Sequence, residues 1–147
     1  MRLTAHTDYA LRVLVFLAVR RGERVSTGTI AEAYDISLHH LHKVVRSLGE
    51  LGVVELHRGA GGGVELARAP EEISVGEIVR ALDDDDMLVE CFRVENDECV
   101  ISPVCALKGS LRRAEEAFYR QLDPVKLSVV VRGASRKLRE LTSPPTD

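Results

Sequence analysis

A mainly helical architecture with one small β-hairpin is predicted by three features of the chain. Two helix-compatible segments lie on either side of a tight break at Asp35-Ile36, two short apolar runs then flank a glycine-rich stretch, and a long apolar stripe of helical period follows Cys105. Helix, turn, helix and hairpin in this order form a winged helix-turn-helix, and the long helix beyond it has the character of a dimerisation helix.

The first helix is read from Thr7 to Val19, where Ala10, Val13, Leu14, Leu17 and Ala18 fall on one stripe and Arg12 and Arg20 lie outside it. Gly22 interrupts it. Ser26 or Thr27 is placed to cap a short second helix carrying Ile30, Ala31 and Tyr34. After the Asp35-Ile36 break, Ser37 can cap a third helix in which Leu38, Leu41, Val45, Leu48 and Leu51 recur every three or four residues. Gly52 supplies its left-handed stop. Val53 to Leu56 and Val64 to Leu66 read as strands around a turn that holds Gly59, Ala60, Gly61, Gly62 and Gly63.

Ser74-Val75-Gly76-Glu77 has the form of a capping box opening a helix through Leu82, and the acids Asp83 to Asp86 end it as a solvated run. Beyond Cys105, Leu107, Leu111, Ala114, Phe118 and Leu122 mark one side of a helix roughly 27 Å long. Asp123-Pro124 ends it, the remainder through Leu141 is weakly helical, and Ser143-Pro144-Pro145 is expected to fray. The expected organisation is a winged helix-turn-helix DNA-binding domain over residues 1–68, a connecting helix and acidic turn over 69–86, a cysteine loop over 87–105, and a dimerisation helix with a C-terminal tail over 106–147.

With 147 residues, 45% of them hydrophobic, the chain can enclose one core or two small lobes without disulfide staples. An odd cysteine count, no secretory apolar core and no apolar run near the ~20 residues that span a bilayer lead us to expect a reducing cytoplasm. Residues 1–68 carry 9 basic and 7 acidic side chains (+2), and residues 69–147 carry 11 and 16 (−5), giving the net charge of −3. So mildly basic a lobe holds a polyanion weakly alone, which favours two copies on one nucleic-acid target.

Cys91, Cys99 and Cys105 fall within 15 residues, and the rest of the chain has no cysteine. Thiolates concentrated on one charged segment point to a soft metal or an iron-sulfur cluster, with one coordination position left for another residue. Structural zinc sites bring ligands in close pairs, whereas intervals of seven and five suit a larger cage of iron and sulfide. Zinc, a cofactor-free thiol redox switch, and an electron-transfer protein or metalloenzyme are the competing readings. Lys108 cannot ligate, but its positive charge would stabilise a net-negative cluster. Asp8 reads as a first-turn acid favoured by the helix dipole and within reach of Arg12.

Candidate DNA contacts are Ser37, His39, His40, His42, Lys43 and Arg46 on the third helix, for base edges and phosphates, and Arg58, Gly59 and Gly61 at the hairpin tip. His39 and His42 lie one turn apart, but Lys43 and Arg46 beside them favour phosphate over a metal. The glycine-rich stretch has neither a P-loop lysine nor a G-x-G-x-x-G helix entry, which argues against nucleotide binding. Ser37 and His40 have no carboxylate in register, and no catalytic constellation is expected.

Thr7-Asp8-Tyr9-Ala10-Leu11-Arg12, the Ile36-Ser37 turn, Arg58-Gly59 with Gly61-Gly62-Gly63, and the three cysteines resemble the IscR/NsrR family of iron-sulfur transcription regulators. The resemblance spans nearly the whole chain. The segment from Cys99 to Lys108 is most similar to the family's nitric-oxide-responsive branch, because the other branch has a histidine ligand where this chain has Lys108. It implies a homodimeric repressor of a palindromic operator with one iron-sulfur cluster per subunit, of the 4Fe-4S type, with 2Fe-2S as the alternative. It further implies that Cys91, Cys99 and Cys105 are joined by Asp8 of the opposite subunit, that Arg12 supports this ligand, and that nitrosylation of the cluster releases DNA.

Overall fold

The computed structural model describes residues 3–59, 61–83, 88–92 and 97–143. Its centre is α1 (Ala5–Ala18), with Ala10, Val13, Leu14, Phe16 and Leu17 almost fully buried. The helix begins two residues before the expected Thr7 because Thr4 is its cap: the Thr4 hydroxyl accepts from the Thr7 amide at 3.1 Å. Three further helices and the hairpin pack around it, among them α3 (Leu38–Glu50) and α4 (Val75–Asp83).

The short α2 (Thr27–Tyr34) is capped by Ser26, whose hydroxyl accepts from the Thr29 amide at 3.0 Å. It stops at Asp35, the one non-glycine residue with positive φ among the described residues, at 50°. This left-handed residue turns the chain sharply into α3. Ser37 stands at the start of α3, but its hydroxyl makes no capping bond, contrary to expectation. The entry is set instead by the Asp35 turn and by the Ser37 carbonyl, which accepts from the Leu41 amide at 3.0 Å. The buried stripe is Leu41, Val44, Val45 and Leu48, whereas Leu38 and Leu51, which the periodicity assigned to it, are 45% and 38% exposed at the helix ends.

Gly52, with φ of 68°, closes α3 as expected. Its amide bonds the Gly49 carbonyl at 2.9 Å and the Val53 amide bonds the Leu48 carbonyl at 3.1 Å, the paired bonds of a Schellman motif. The hairpin of β1 (Val54–His57) and β2 (Gly63–Leu66) pairs Val54 with Leu66, Glu55 with Glu65, Leu56 with Val64 and His57 with Gly63. Val25 bridges to Val64 alongside it, and a Cβ on Gly63 would sit 2.6 Å from the Val25 carbonyl oxygen, so glycine is required there.

At the start of α4, the Ser74 hydroxyl accepts from the Glu77 amide at 3.3 Å and donates to the Asp123 carbonyl at 2.7 Å. The reciprocal half of the expected capping box is replaced, because the Glu77 carboxylate pairs with Arg68 at 2.9 Å. Of the acidic run expected to end this helix, Asp83 is its last residue, and Asp84 to Asp86 lie outside the described residues, as do Met1, Arg2, Ala60 and the tail from Pro144. Short 3-10 turns at Glu90–Phe92 and Ser102–Val104 carry the cysteine segment into α5 (Ala106–Leu122), which has no buried residue.

The weakly helical remainder is two short helices, α6 (Leu127–Val131) and α7 (Ser135–Leu141). They fold back onto α1, and Leu127 and Val131 enter the same core as Leu14 and Phe16. Arg20, expected outside the apolar stripe, is 8% exposed. Its guanidinium lies 3.8 Å from the Phe16 ring centre and donates to the Thr142 hydroxyl at 2.9 Å and to the carbonyls of Thr142 and Arg139 at 3.2 and 3.3 Å. Solvation of this cation is replaced by a ring face and three oxygens, which is what makes its burial tolerable. No helix among the described residues is long and apolar enough to cross a membrane.

The α4 to α5 connection is tight. A Cβ on Gly76 would fall 2.5 Å from the Asp123 amide nitrogen and 2.7 Å from its Cα. Gly76→Ala should therefore lower unfolding free energy by about 1–3 kcal/mol, read as a lower midpoint in chemical denaturation. An unchanged midpoint would mean the two elements are free to separate.

Candidate nucleic-acid interface and cysteine loop

The polar side of α3 is open. Ser37, His39, His40, His42, Lys43 and Arg46 are all exposed, while Leu41, Val44, Val45 and Leu48 anchor the opposite side. That division follows from the 3.6-residue period acting on a sequence whose positions away from the core are mostly polar. Arg46 Nε pairs with Glu50 at 2.9 Å, so part of its charge is compensated within the helix. Between α3 and the hairpin runs an open groove of about 820 Å³, with His42, Arg46, Arg58 and Gly59 among its lining residues. Arg58, Gly59 and Gly61 lie exposed at the hairpin tip, and Gly59 and Gly61 hold φ of 86° and 80°. Of the expected residues, the structure brings His42, Arg46, Arg58 and Gly59 around this one groove, whereas His40 and Lys43 line a separate hollow with Ala5, His6 and Tyr9 of α1.

The three cysteines are free and half-buried. Cys105 is the N-cap of α5, and its sulfur accepts from the Lys108 amide at 3.4 Å. Their donor set suits an iron-sulfur cluster: three thiols on one segment, not tied in disulfides. Residues 93–96, between the first two cysteines, lie outside the described residues.

Lys108 does not stand free beside the sulfurs. Its ammonium donates to the Asp97 carboxylate at 3.0 Å and to the Ser102 hydroxyl, which in turn donates to Asp97. Asp97 also accepts from the Cys99 amide at 3.2 Å. These contacts staple the Cys99 to Cys105 stretch onto the first turn of α5. The Ser102 hydroxyl, followed by the Lys108 ammonium, holds the Asp97 carboxyl below its ordinary range.

Asp8 is half-exposed on α1 and gripped by Arg12 through two hydrogen bonds, of 2.7 and 3.3 Å. One residue earlier, the buried Thr7 donates its hydroxyl to the Asp83 carboxylate at 2.5 Å. The first turn of α1, which displays Asp8, is therefore fixed to the end of α4, from which the chain enters the cysteine segment. Around that segment Val100, Ile101, Val104 and Leu107 are 94, 60, 85 and 64% exposed. So large an apolar surface is the kind normally covered by another protein surface.

Sequence reasoning missed Asp83, Asp97 and Ser102, whose roles come from partners that the fold supplies. It also missed a convergence on the hairpin, where donor atoms of Glu55, His57 and Glu65 lie within 4.8 Å of one another. The alternation of Glu55 and His57 along a strand was the available signal, but placing Glu65 opposite required the register.

Comparison with known proteins gives a consistent picture. The family described as "Rrf2: Iron-dependent Transcriptional regulator" matches residues 3–133. The HTH-type transcriptional regulator NsrR of Bacillus subtilis is 50% identical over 133 residues, covering 90% of this chain and 91% of that protein. The HTH-type transcriptional repressor NsrR of Streptomyces coelicolor is 42% identical over 134 residues, covering 89% and 88%. The crystal structure of the oxidised form of CymR from Staphylococcus aureus superposes with a TM-score of 0.72 at 28% identity, over 90% of this chain and 97% of that one.

The staple beside Cys99 has a pH signature. A carboxylate whose folded pKa is depressed stabilises the fold above its ordinary pKa and loses that contribution as pH falls through the lower folded value. The carboxyl carbon of Asp97 should accordingly titrate below the ordinary aspartate range in an NMR experiment, and Ser102→Ala should move its midpoint upward. An ordinary midpoint in the unmodified chain would show the staple to be absent in solution.

Proposed function

The chain belongs to the Rrf2 family of iron-dependent transcriptional regulators, and on that premise we propose that it is a homodimeric, cytoplasmic repressor whose operator grip depends on an iron-sulfur cluster. The observation that carries this reading is the concentration of three free, half-buried cysteines in one loop, with Cys105 at the amide end of a long helix and the loop adjoining the Asp83 anchor of α1.

Cys91, Cys99, Cys105 and the partner subunit's Asp8 would hold the cluster, of the 4Fe-4S type. When bound, it supplies iron reactive toward nitric oxide, the proposed signal. The chain's own contribution is mechanical. Engagement of Asp8 across the dimer ties the start of α1 to the neighbouring subunit, and Arg12 orients the carboxylate from the side. Because α3 packs directly on α1, fixing α1 fixes the distance between the two recognition helices. Release of Asp8 removes that restraint.

At the DNA, His39, His40 and His42 face base edges while Lys43 and Arg46 meet phosphates, and Arg58 with Gly59 and Gly61 brings the hairpin tip to the adjoining backbone or minor groove. A two-fold dimer matches a palindrome with half-sites about one or more turns apart, roughly 34 Å each. The apolar side of α5, half-buried at Leu111, Phe118 and Leu122 and running on to the exposed Leu107 and Val104, provides the seam between subunits. A coupling of only about 1–3 kcal/mol between cluster and operator changes operator affinity by roughly fivefold to 150-fold.

Anaerobic purification should yield a coloured protein with iron and acid-labile sulfide in comparable amounts, and removing the iron should abolish tight binding to the operator. Stoichiometric zinc without a chromophore, or undiminished operator binding by the iron-free protein, would overturn the proposal. Asp8→Ala should change the visible spectrum or its rate of change with nitric oxide. Arg58→Ala should weaken operator binding and reduce the slope of its logarithm against log salt by about one.

A further inference from the structure

We propose that the hairpin carries a divalent-cation site of the zinc class, built from Glu55, His57 and Glu65 and separate from the cysteine loop. Strand alternation puts Glu55 and His57 on one side of β1, and the register sets Glu65 directly opposite Glu55. Their donor atoms lie within 4.8 Å of one another. His57 Nε2 is 2.7 Å from Glu65 Oε1 and 3.8 Å from Glu55 Oε1.

His57 Nε2 points independently to a ligand. The nitrogen itself is shut off from solvent and meets no hydrogen-bond geometry among the described residues, although Glu65 Oε1 lies 2.7 Å away. With or without its proton, that nitrogen has only carboxylate oxygen beside it and no well-directed partner among the described residues. A cation between the three groups resolves both arrangements. Charge makes the same demand. Two glutamates directly opposed across an antiparallel pair repel, and Arg24 offsets only Glu65, with Nη2 3.2 Å from Oε1. For Glu55 the partner within ion-pairing reach among the described residues is His57 itself.

The donor chemistry selects the metal. One imidazole nitrogen with two carboxylates leaves a further position for water and suits zinc. Magnesium and calcium favour oxygen ligands alone, and the cysteine loop offers sulfur. Glu55 and His57 also line the groove between the hairpin and α3. On the reading of that groove as the DNA interface, a bound dication would cancel carboxylate charge that otherwise repels phosphate.

The site is tested on the full-length, isotope-labelled protein by titrating zinc chloride without DNA and following amide and imidazole NMR signals. Saturable shifts are expected at Glu55, His57 and Glu65, resolved from any at Cys91, Cys99, Cys105 or His39 to His42. His57→Ala should weaken the hairpin response by at least about tenfold, given that loss even of a group supporting a metal ligand has that effect. Glu65→Gln should weaken it too, with core signals of Leu41 and Leu48 unchanged as the check on folding. Arg24→Ala should bind zinc at least as tightly, since its guanidinium competes for the same oxygen. The site is ruled out by zinc shifts confined to the cysteines or the α3 histidines, or by a hairpin response that survives both His57→Ala and Glu65→Gln. Because no DNA is present, failure of operator binding would leave this result intact.

Discussion

Burial of one helix, α1, is the constraint on which the rest of the structure depends. Phe16, Leu14, Leu17, Val13 and Ala10 cannot be covered from a single direction, and α3, α4, α6 and the hairpin each close part of the circumference. A large apolar side chain contributes about 1.5–3 kcal/mol on full burial, so these few residues outweigh any one polar contact at the surface. The same helix displays Asp8 in its first turn and holds Arg20 just beyond its end. Whatever moves α1 must therefore move both α3 and the C-terminal clasp around Arg20.

Polar contacts then decide how the peripheral elements are hung from that centre. Thr7 and Asp83 connect the start of α1 to the end of α4, and Arg20 connects its far end to Thr142 and Arg139. Neither contact could substitute for the apolar core. Both choose a single arrangement among those the core would tolerate, since a buried hydroxyl or guanidinium loses free energy in any packing that leaves it unpaired. The cysteine segment, by contrast, is organised chiefly by its own short-range staple among Asp97, Ser102 and Lys108. It meets α5 in a helix that has almost no core of its own, and 17 residues are near the lower limit for a helix without tertiary burial. This leaves the cysteine segment and α5 with less core to hold them than the helices around α1, which suits the proposed role of a restraint that can be released.

What the sequence by itself determined is whatever depends on near neighbours. The period of Ala10, Val13, Leu14 and Leu17, the Ser26 cap, the left-handed Asp35, the stop at Gly52 and the glycine turn of the hairpin are each legible because a few consecutive residues fix the local backbone. The grouping of Cys91, Cys99 and Cys105 and the polar side of α3 were legible for the same reason. Tertiary structure alone decided the rest. Arg20 sits under the C-terminal residues although its helical position reads as outward, and Glu77 leaves its capping role for Arg68. Lys108 turns to Asp97, and Glu65 arrives opposite Glu55 and beside His57. In every such case a charged side chain chose between water and a partner distant or offset in sequence, and that choice turns on desolvation and register, quantities that exist only once the core has closed.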